Sequence, residues 1–516
     1  MNKIIYVFII SSCLTLTAAQ RVLAQAGTLD NTFGTNGIVT TNFAVAISYG
    51  NSIALQPDGK IIVAGAKTNT INGSHSDFAV ARYNSNGSLD NNFGTGGKVT
   101  FDIAVNNDDA ALSAAIQNDG KIVVTGYTGG TGFSNFATLR FNSDGTLDNT
   151  FGTGGKVIMN FGGAYASSGS ITVLNNGKLL AAGNANVIGS TNPDFALARY
   201  NNDGSLDNTF GSGGKVTTDF TADSDDQGYS AIIQSDSKIV VAGYRYHAGA
   251  DFALARYNTN GTLDNTFGTG GKVITVMGSY YDTGISAAIQ SDGKIVIVST
   301  NGTNGSNADF VLIRYNSNGT LDNTFGFLGR ITTSFGGTNN FCKSLAIQSD
   351  GKFIVSGTSN NSFVLVRYNS DGSMDNTFGA GGIVNTSVGS VSEGFSLAIQ
   401  TDGKIIAAGA SGNNTIYDFT VIRYDGGVTG IDENKTDQNN LTVFPNPFTS
   451  QTNIAFSEEQ KNTAIKIIDV LGREIKIINF TGKELLLEKG ELKKGIYFLQ
   501  TTDNGKHICN TKIVVQ

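Results

Sequence analysis

Leu147–Gly152 reads LDNTFG, and the repetition of this hexapeptide along the chain indicates the fold. The hexapeptide occurs seven times with at most one letter changed, and successive copies lie 53 to 60 residues apart. The aspartates of the copies are Asp30, Asp90, Asp148, Asp207, Asp264, Asp322 and Asp375. A repeat of this length cannot bury its own apolar face, so each copy must stack on its neighbours.

Each repeat contains four short segments of β type. In the second full unit they are Leu112–Gln117, Lys121–Tyr127, Asn135–Phe141 and Lys156–Phe161, and Asn118-Asp119-Gly120 separates the first two. β-Branched segments joined by such turn sequences are typical of antiparallel hairpins. Four strands per unit, repeated seven times, predict an all-β fold, a seven-bladed β-propeller with four-stranded blades.

The two ends of the array predict how the ring closes. The chain enters with a lone segment of the fourth-strand type, Ile38–Phe43, and leaves after one of the third-strand type, Asp418–Tyr424. We therefore expect the N-terminal strand to complete the last blade, beside Phe395–Gln400, Lys404–Gly409 and Asp418–Tyr424. This interlock would join the ends of the array and remove exposed sheet edges.

Two strings of the second unit carry a family resemblance. SAAIQNDGKIVVTG and NFATLRFNSDGTLDNTFGTGGKV resemble the delta-60 repeat of bacterial surface and secreted proteins, and the resemblance extends from Leu29 to about Tyr424. We place the propeller at residues 27–424. The resemblance implies little about activity.

An arginine recurs in every third strand, close to an aspartate of the repeated hexapeptide. We interpret the pairs as structural, with each arginine bonding the aspartate or nearby carbonyls to hold the long connection between the third and fourth strands. Seven equal copies also argue against a single functional site. The expected pairs are Arg82 with Asp90, Arg140 with Asp148, Arg199 with Asp207, Arg256 with Asp264, Arg314 with Asp322, Arg367 with Asp375 and Arg423 with Asp30.

The repeat rhythm stops after Tyr424. Residues 425–440 form a polar linker, and the alternating segments of residues 441–516 predict a small Ig-like β-sandwich. The strings FPNPF, IIDVLGREI, LKKGIYFLQ and TKIVV resemble the type A C-terminal sorting domain of the type IX secretion system. This resemblance implies a partner, the type IX machinery, and a location outside or on the surface of a Gram-negative bacterium; the less favoured alternative is an ordinary partner-binding sandwich. The matching positions are Pro445, Asn446, Pro447, Gly472, Gly495, Tyr497 and Lys512.

The N-terminus and the overall charge also constrain function. An apolar stretch from Ile4 to about Ala19, followed by Ala24-Gln25-Ala26, predicts a secretory signal peptide at residues 1–26. A lipoprotein signal at Cys13 is the less favoured alternative. No later segment has the ~20 apolar residues of a transmembrane helix. A net charge of −7 argues against nucleic acid as a partner.

Residues suited to metal or redox chemistry are few. The chain has three histidines, and only Cys342 and Cys509 follow the signal peptide. We therefore expect no catalytic motif, metal centre or cofactor. Segments such as Asn142–Asp148 place oxygen atoms at a spacing that resembles part of a calcium loop. However, Asn-Gly and Asp-Gly are ordinary turn formers, so turns are favoured over calcium.

Acidic runs occur at Asp108-Asp109 and Asp223–Asp226. The favoured interpretation is a solvated loop surface. The alternative is a secreted polysaccharide hydrolase or lyase, since paired carboxylates serve glycoside chemistry. Its candidate acids are Asp223, Asp225, Asp226 and Asp282.

Alternate connections of an antiparallel blade emerge on the same side. The stereotyped first-to-second and third-to-fourth connections define a fixed-turn face, and the other two, which vary in length, define a variable-loop face. Tyrosines gather in the variable loops, where they either cap the blades or contact a glycan or peptide. The expected function is a non-enzymatic binding or structural module. Its candidate ligand patch is Tyr244, Tyr246, His247, Tyr280, Tyr281 and Asp282.

Overall fold

The computed structural model describes residues 25–44, 47–69, 75–105, 107–130, 132–222, 224–247, 249–276, 281–303, 306–336, 340–413, 415–427, 441–469, 473–503 and 506–515. The chain divides into two compact units, one ending at Thr429 and the other starting at Gly430. Within the described ranges no helix has the length and apolar character needed to span a membrane. Nearly all of the predicted signal peptide and linker lies outside these ranges.

Seven four-stranded antiparallel sheets make up the described part of the first unit. Each sheet is a blade whose strands pair in chain order, except that the last blade takes its outer strand from the N-terminus. The strands are β1 (Ile38–Thr41), β2 (Ile47–Leu55), β3 (Ile61–Asn69), β4 (His75–Tyr83), β5 (Lys98–Phe101), β6 (Asp108–Ile116), β7 (Ile122–Gly130), β8 (Phe133–Phe141), β9 (Lys156–Met159), β10 (Gly162–Val173), β11 (Leu179–Val187), β12 (Asp194–Tyr200), β13 (Lys215–Thr218), β14 (Asp225–Ile233), β15 (Ile239–Tyr246), β16 (Ala250–Tyr257), β17 (Lys272–Thr275), β18 (Tyr281–Ile289), β19 (Ile295–Thr303), β20 (Ser306–Tyr315), β21 (Arg330–Thr333), β22 (Phe341–Ile347), β23 (Phe353–Ser359), β24 (Ser362–Tyr368), β25 (Ile383–Thr386), β26 (Val391–Ile399), β27 (Ile405–Gly412) and β28 (Tyr417–Tyr424).

The ring closes through its first strand. β1 pairs antiparallel with β28, with Ile38 opposite Ile422 and Thr41 opposite Phe419. The first strand of each blade contacts the first strand of the next blade all the way round, so these strands line the centre of the ring. The seven-bladed, four-stranded architecture and its closure by the N-terminal strand are therefore confirmed.

The first strands begin earlier than the sequence predicts. β6 starts at Asp108 rather than Leu112, because a register shift between Ala111 and Ser113 lets the pairing with β7 continue. The bulge requires glycine opposite it: a Cβ atom on Gly126 would lie 1.8 Å from the Ala110 carbonyl oxygen. The bulge thus places acidic residues that were expected in a loop onto a paired strand.

The C-terminal unit contains one five-stranded antiparallel sheet. β30 pairs with β29, β31 and β32, and β32 pairs with β33, around a buried apolar core that includes Ile454, Ile465 and Leu499. All-β structure is confirmed here, whereas the Ig-like arrangement in two layers stays a prediction, since the strands pair as a single sheet. The strands are β29 (Leu441–Phe444), β30 (Gln451–Asp469), β31 (Glu474–Glu488), β32 (Gly495–Asp503) and β33 (Lys506–Val515).

Candidate functional site

The fixed-turn face brings all seven predicted arginine–aspartate pairs into contact. Each arginine Nε lies 2.6–2.9 Å from an Oδ2 atom of its aspartate, and both side chains are buried. Each guanidinium also stacks 4.3–4.7 Å from the centre of the phenylalanine ring in the same hexapeptide. The repeated letters therefore form one local unit of charge and aromatic contact.

These pairs also join neighbouring blades. Arg140 Nη1 donates to the main-chain carbonyl of Asn202 in the next repeat, and Lys121 Nζ lies 2.7 Å from Asp148 Oδ2. Burial alone would raise the pKa of Asp148, but bonds from Lys121 and Thr150 and the charge of Arg140 outweigh it and hold the pKa well below its usual value. The aspartates of this face are thus neutralised by the protein itself.

The Asn-x-Asp-Gly segments use their own oxygen atoms. Asp144 Oδ1 accepts hydrogen bonds from the backbone N and the hydroxyl of Thr146, at 2.9 and 2.7 Å. Asn260 does the same for Thr262, at 3.1 and 2.8 Å. These are the bonds of an Asx turn, and they engage the atoms that a calcium loop would have offered.

The predicted ligand patch lies at the variable-loop end of the fourth and fifth blades. Tyr244 and Tyr246 end β15, Tyr246 is 37% exposed, and His247 is exposed in the following turn. Tyr281 and Asp282 begin β18 in the next blade. Their side chains, and Tyr280 as a whole, lie outside the described part of the chain.

Two tyrosines outside the predicted patch extend it. The ring centres of Tyr229 and Tyr244 are 5.7 Å apart, and the Tyr229 hydroxyl donates to Gln227 Oε1 at 2.7 Å. Tyr165, in the third blade, is 44% exposed. Burial raises the pKa of Tyr229 and of Tyr244, and the nearby Tyr165 phenol adds to the effect. The three phenols therefore lie near one another where two blades adjoin.

The expectation of solvated acidic loops is wrong for Asp109 and Asp226. Both are completely buried, because each carboxylate accepts a hydrogen bond from a backbone N–H of the preceding loop. The donors are Ile103 at 2.6 Å and Phe220 at 2.7 Å. Among the candidate catalytic acids, Asp225 and Asp226 are consecutive on β14 and so point to opposite sheet faces. Asp223 and the Asp282 side chain lie outside the described residues.

Three carboxylates meet where the third and fourth blades adjoin. Asp194 begins β12, Asp219 follows β13, and Asp226 lies on β14. One carboxylate oxygen of each lies within 4.8 Å of the other two. Asp226 N donates to the Pro193 carbonyl at 2.7 Å, which ties the two blades together at this point. Asp194 and Asp219 were not among the predicted site residues, because an aspartate before the third-strand phenylalanine recurs in other repeats and does not by itself indicate a site.

The pKa values of Asp194 and Asp226 are raised, whereas those of most aspartates in the hexapeptides of the fixed-turn face are lowered. Burial, with the Asp219 charge, raises the pKa of Asp194 to about 6. Burial raises that of Asp226 to about 6 despite hydrogen bonds from Phe220 N and Ser224 Oγ. Lys272 opposes the shift of Asp194 only in part, since its ammonium donates to the Asp219 main-chain oxygen at 2.6 Å.

A further polar pair near the centre of the ring was not predicted. Lys343 on β22 and Glu393 on β26 interact across neighbouring blades; burial lowers the pKa of the lysine and raises that of the glutamate. The Tyr49 ring lies 6.0 Å from Phe395 and 5.6 Å from Tyr417. These residues extend the aromatic and charged character of the central strands to the last blade.

A cavity of about 610 Å³ opens on the fixed-turn side of the third and fourth blades. Its lining includes Leu174, Ile232, Ile289 and Arg199. Leu174 stands where the other six repeats have glutamine, so Arg199 lacks the glutamine partner that Arg140 finds in Gln117. Arg199, which is paired with Asp207, is the one ionisable residue in the described lining of this cavity.

The predicted sorting residues lie in the C-terminal unit. Asn446 Oδ1 accepts from Val514 N at 2.8 Å, and the Pro445 carbonyl accepts from Thr452 Oγ1 at 2.7 Å. The Tyr497 hydroxyl donates to the Lys493 carbonyl at 3.0 Å. Pro447 and Gly495 are described; Gly472 and the Lys512 side chain lie outside the described residues.

Seven segments of the chain match the family described as a domain of unknown function (DUF5122) β-propeller, at residues 56–93, 117–151, 174–210, 234–267, 290–325, 348–378 and 400–426. Residues 442–516 match the secretion system C-terminal sorting domain. The resemblances found in the sequence are therefore confirmed, and with them a secreted or cell-surface location in a Gram-negative bacterium. No curated protein matches the chain.

Similar solved structures are distant. PorZ, a surface component of the type IX secretion system of Porphyromonas gingivalis, is 12% identical with a TM-score of 0.33; the match covers 90% of this chain and 59% of PorZ. A PL25 ulvan lyase is 13% identical with a TM-score of 0.43, covering 78% and 95%. Drosophila Semaphorin 2a is 10% identical with a TM-score of 0.45, covering 95% and 99%. These likenesses are too remote to indicate a substrate or a partner.

Proposed function

The chain is a secreted or surface β-propeller built from DUF5122 repeats and a secretion-system sorting domain, and we propose that it is a non-enzymatic protein that binds a polysaccharide on its variable-loop face. The type IX machinery is its partner during export, with residues 1–26 directing the first membrane passage and residues 441–516 the second. The propeller at residues 27–424 is the part that acts outside the cell.

The observation that carries this proposal is the tyrosine surface of the third and fourth blades. Tyr165 and Tyr246 are 44% and 37% exposed, while Tyr229 and Tyr244 are less exposed and pack against each other. Tyrosine offers a flat apolar ring with a polar edge, which suits the apolar faces and hydroxyls of a sugar chain. Gln227 supplies an amide beside these rings, with its Nε2 held by Asp225 at 3.0 Å.

The position of the acids favours binding over hydrolysis or elimination. A glycoside hydrolase needs two carboxyl groups facing each other across a cleft that admits the sugar. Asp226 is completely buried and Asp194 is 9% exposed, so neither is open to a substrate. The described cavity lies on the opposite face and has no carboxylate in its lining. A catalytic role for these acids therefore has little structural support.

Two binding measurements with the purified full chain test the proposal: a pull-down with soluble polysaccharides and a glycan array. We expect retention, and at least tenfold weaker binding in Tyr246→Ala, equivalent to about 1.4 kcal/mol. Phe327→Ala is the matched control, because Phe327 is an aromatic residue that is 75% exposed on the fixed-turn face. Retention of no polysaccharide, or an equal loss in Phe327→Ala, would reject the proposed site. Release of reducing or unsaturated sugar ends would instead establish the enzymatic alternative.

The export role has a separate test. Deleting residues 441–516 should leave the chain inside the cell envelope, whereas a chain that lacks only the linker segment 430–437 should still reach the surface or medium. Export that persists after the longer deletion contradicts the sorting role.

A further inference from the structure

We propose that Asp194, Asp219 and Asp226 bind one calcium ion on the variable-loop face, where the third and fourth blades adjoin. The proposal does not depend on the polysaccharide patch, because it rests on different residues.

The geometry fits one hard cation. Calcium takes oxygen ligands at about 2.3–2.6 Å, so two ligands on opposite sides of the same ion are about 4.6–5.2 Å apart. The nearest oxygen atoms of the three aspartates all lie within 4.8 Å of one another. Three carboxylates from two blades can therefore share one ion, with water completing its coordination.

Asp194 has no protein partner that would satisfy it. Asp194 as a residue is 9% exposed, and among the described residues no group donates a hydrogen bond to its carboxylate. None of the three carboxylates forms an ion pair with a lysine or arginine in the described ranges. A largely buried carboxylate without protein donors is unfavourable, and a bound cation would supply the missing counter-charge.

The charge balance indicates a divalent ion. Three carboxylates supply three negative charges, and Lys272 supplies one positive charge nearby. Its ammonium lies 5.7 Å from the centre of the Phe220 ring and donates to the main-chain oxygen of Asp219 rather than to a carboxylate. The remaining two negative charges match one calcium ion.

Equivalent positions at other blade boundaries are satisfied within the protein. In every blade a phenylalanine of the third strand pairs with the last residue of the fourth strand. This pairing defines two equivalent positions in each blade: the residue before the phenylalanine and the residue after the fourth strand. At one boundary these are Asn135 and Asn160, joined by a 2.8 Å hydrogen bond. At another they are Asp418 and Asn42, joined at 2.7 Å. Asp194 and Asp219 occupy the same two positions as facing anions.

A second acidic boundary offers a contrast. Asp77, Asp102 and Asp109 stand at the positions equivalent to Asp194, Asp219 and Asp226, between the first and second blades. There, however, Lys67 Nζ lies 3.8 Å from Asp77 Oδ2 and supplies the counter-charge. We therefore expect one calcium ion per chain and not two.

Calcium is favoured over magnesium by the uneven surroundings of the ligands. Magnesium demands a near-ideal octahedron of oxygen atoms and gives up its water reluctantly. The cluster includes an exposed aspartate, Asp219, and two buried ones, and such uneven surroundings suit the flexible coordination of calcium. Extracellular modules bind calcium with dissociation constants of about 0.1–1 mM, which is the range expected here.

Calorimetric titration of the chelator-stripped full chain with calcium chloride tests the proposal. We expect one ion per chain, a melting temperature that rises with calcium, and at least tenfold weaker binding of magnesium. Asp219→Asn should weaken calcium binding at least tenfold. Asp219 is exposed and its carboxylate accepts no hydrogen bond among the described residues, so this substitution should leave the fold intact.

Two further variants make the result decisive. Asp194→Asn should weaken binding at least as much as Asp219→Asn, whereas Asp418→Asn, which changes an equivalent aspartate paired with Asn42, should stay within twofold of the parent chain. The absence of heat and of any melting shift at about 10 mM calcium would overturn the proposal. Equal calcium affinity in Asp219→Asn and the parent, or a tenfold loss in Asp418→Asn, would overturn it as well.

Discussion

Aspartates are buried on both faces of the propeller, but their surroundings are opposite. On the fixed-turn face every buried hexapeptide aspartate contacts an arginine, and Asp148 contacts Lys121 as well. On the variable-loop face Asp194 and Asp226 lie beside Asp219 without a cationic partner among the described residues. Burial is common to both sets, so the counter-charge decides whether the pKa falls or rises. The neutralised aspartates stabilise the scaffold, whereas the aspartates without a counter-charge indicate a binding site.

The largest expected effect is acid unfolding of the fixed-turn face. Bonds and charges from their partners hold the pKa of Asp322 and Asp375 at about 2 and those of four other hexapeptide aspartates lower still, although burial alone would raise them. A folded-state pKa below the unfolded value of 3.8 stabilises the fold above pH 4, and this stability is lost as the pH falls towards 2. Denaturation midpoints measured from pH 5 to pH 2 should fall steeply in that window. A flat profile would show that the pairs contribute little.

The next effect concerns a single pair. Arg256→Ala leaves Asp264 buried with Lys238 as its remaining cationic partner, at 2.9 Å, and removes a bond to the next blade. We expect a loss of about 3–5 kcal/mol in the free energy of unfolding, measured by chemical denaturation. Thr269→Ala, an exposed change in the same blade, serves as the control and should stay within about 0.5 kcal/mol. Similar losses in both variants would contradict the structural role of the pair.

For the variable-loop cluster we expect stability to depend on pH in the opposite direction. Burial and the Asp219 charge raise the pKa of Asp194 from 3.8 to about 6, so its ionised carboxylate destabilises the folded chain above that pH, and the effect is lost only below pH 3.8. Without calcium, Asp194→Asn should therefore raise the free energy of unfolding at pH 8 by about 1–3 kcal/mol. The difference should shrink as the pH falls and nearly disappear at about pH 3, where Asp194 is mostly protonated in both folded and unfolded chains.

Calcium should reverse this order. At saturating calcium the parent chain should be the more stable one at pH 8, because the ion replaces repulsion with attraction. Melting curves of both proteins, with calcium and with chelator, give the comparison. If Asp194→Asn is less stable than the parent in chelator at pH 8, the cluster is not repulsive and the contrast between the faces fails.

The sequence was a good guide where the repeat imposed one environment many times. The ring, its closure by Ile38–Thr41 and the contact of Arg423 with Asp30 across the closure all follow from counting copies and noting which strand type is missing at each end. Such features depend on short range pairing and on stacking of identical units, so they leave a periodic signal. The strand limits were less accurate, since the bulge before Ser113 leaves no clear mark in the letters.

The candidate site was harder to predict because it depends on departures from the repeat. The tyrosine patch stays a prediction; Tyr229 lies beside Tyr244 through the pairing of β14 with β15, and Tyr165 is near them only because two blades adjoin. Asp226 was noticed and expected to be solvated, whereas the Phe220 amide draws it into a completely buried position. Burial of a polar group depends on which donors the fold brings to it, and those donors are main-chain atoms that the residue letters do not reveal.

By itself, the sequence determined the architecture, the neutralised aspartates of one face and the address carried by residues 442–516, because each is encoded in a repeated or distinctive local pattern. The proximity of Asp194, Asp219 and Asp226 depends on the packing of the blades, since the three residues come from two blades and from three different strand ends. The tertiary structure also decided that no lysine or arginine among the described residues pairs with them. Distance and burial set the energy of a charge, and neither can be read along the chain.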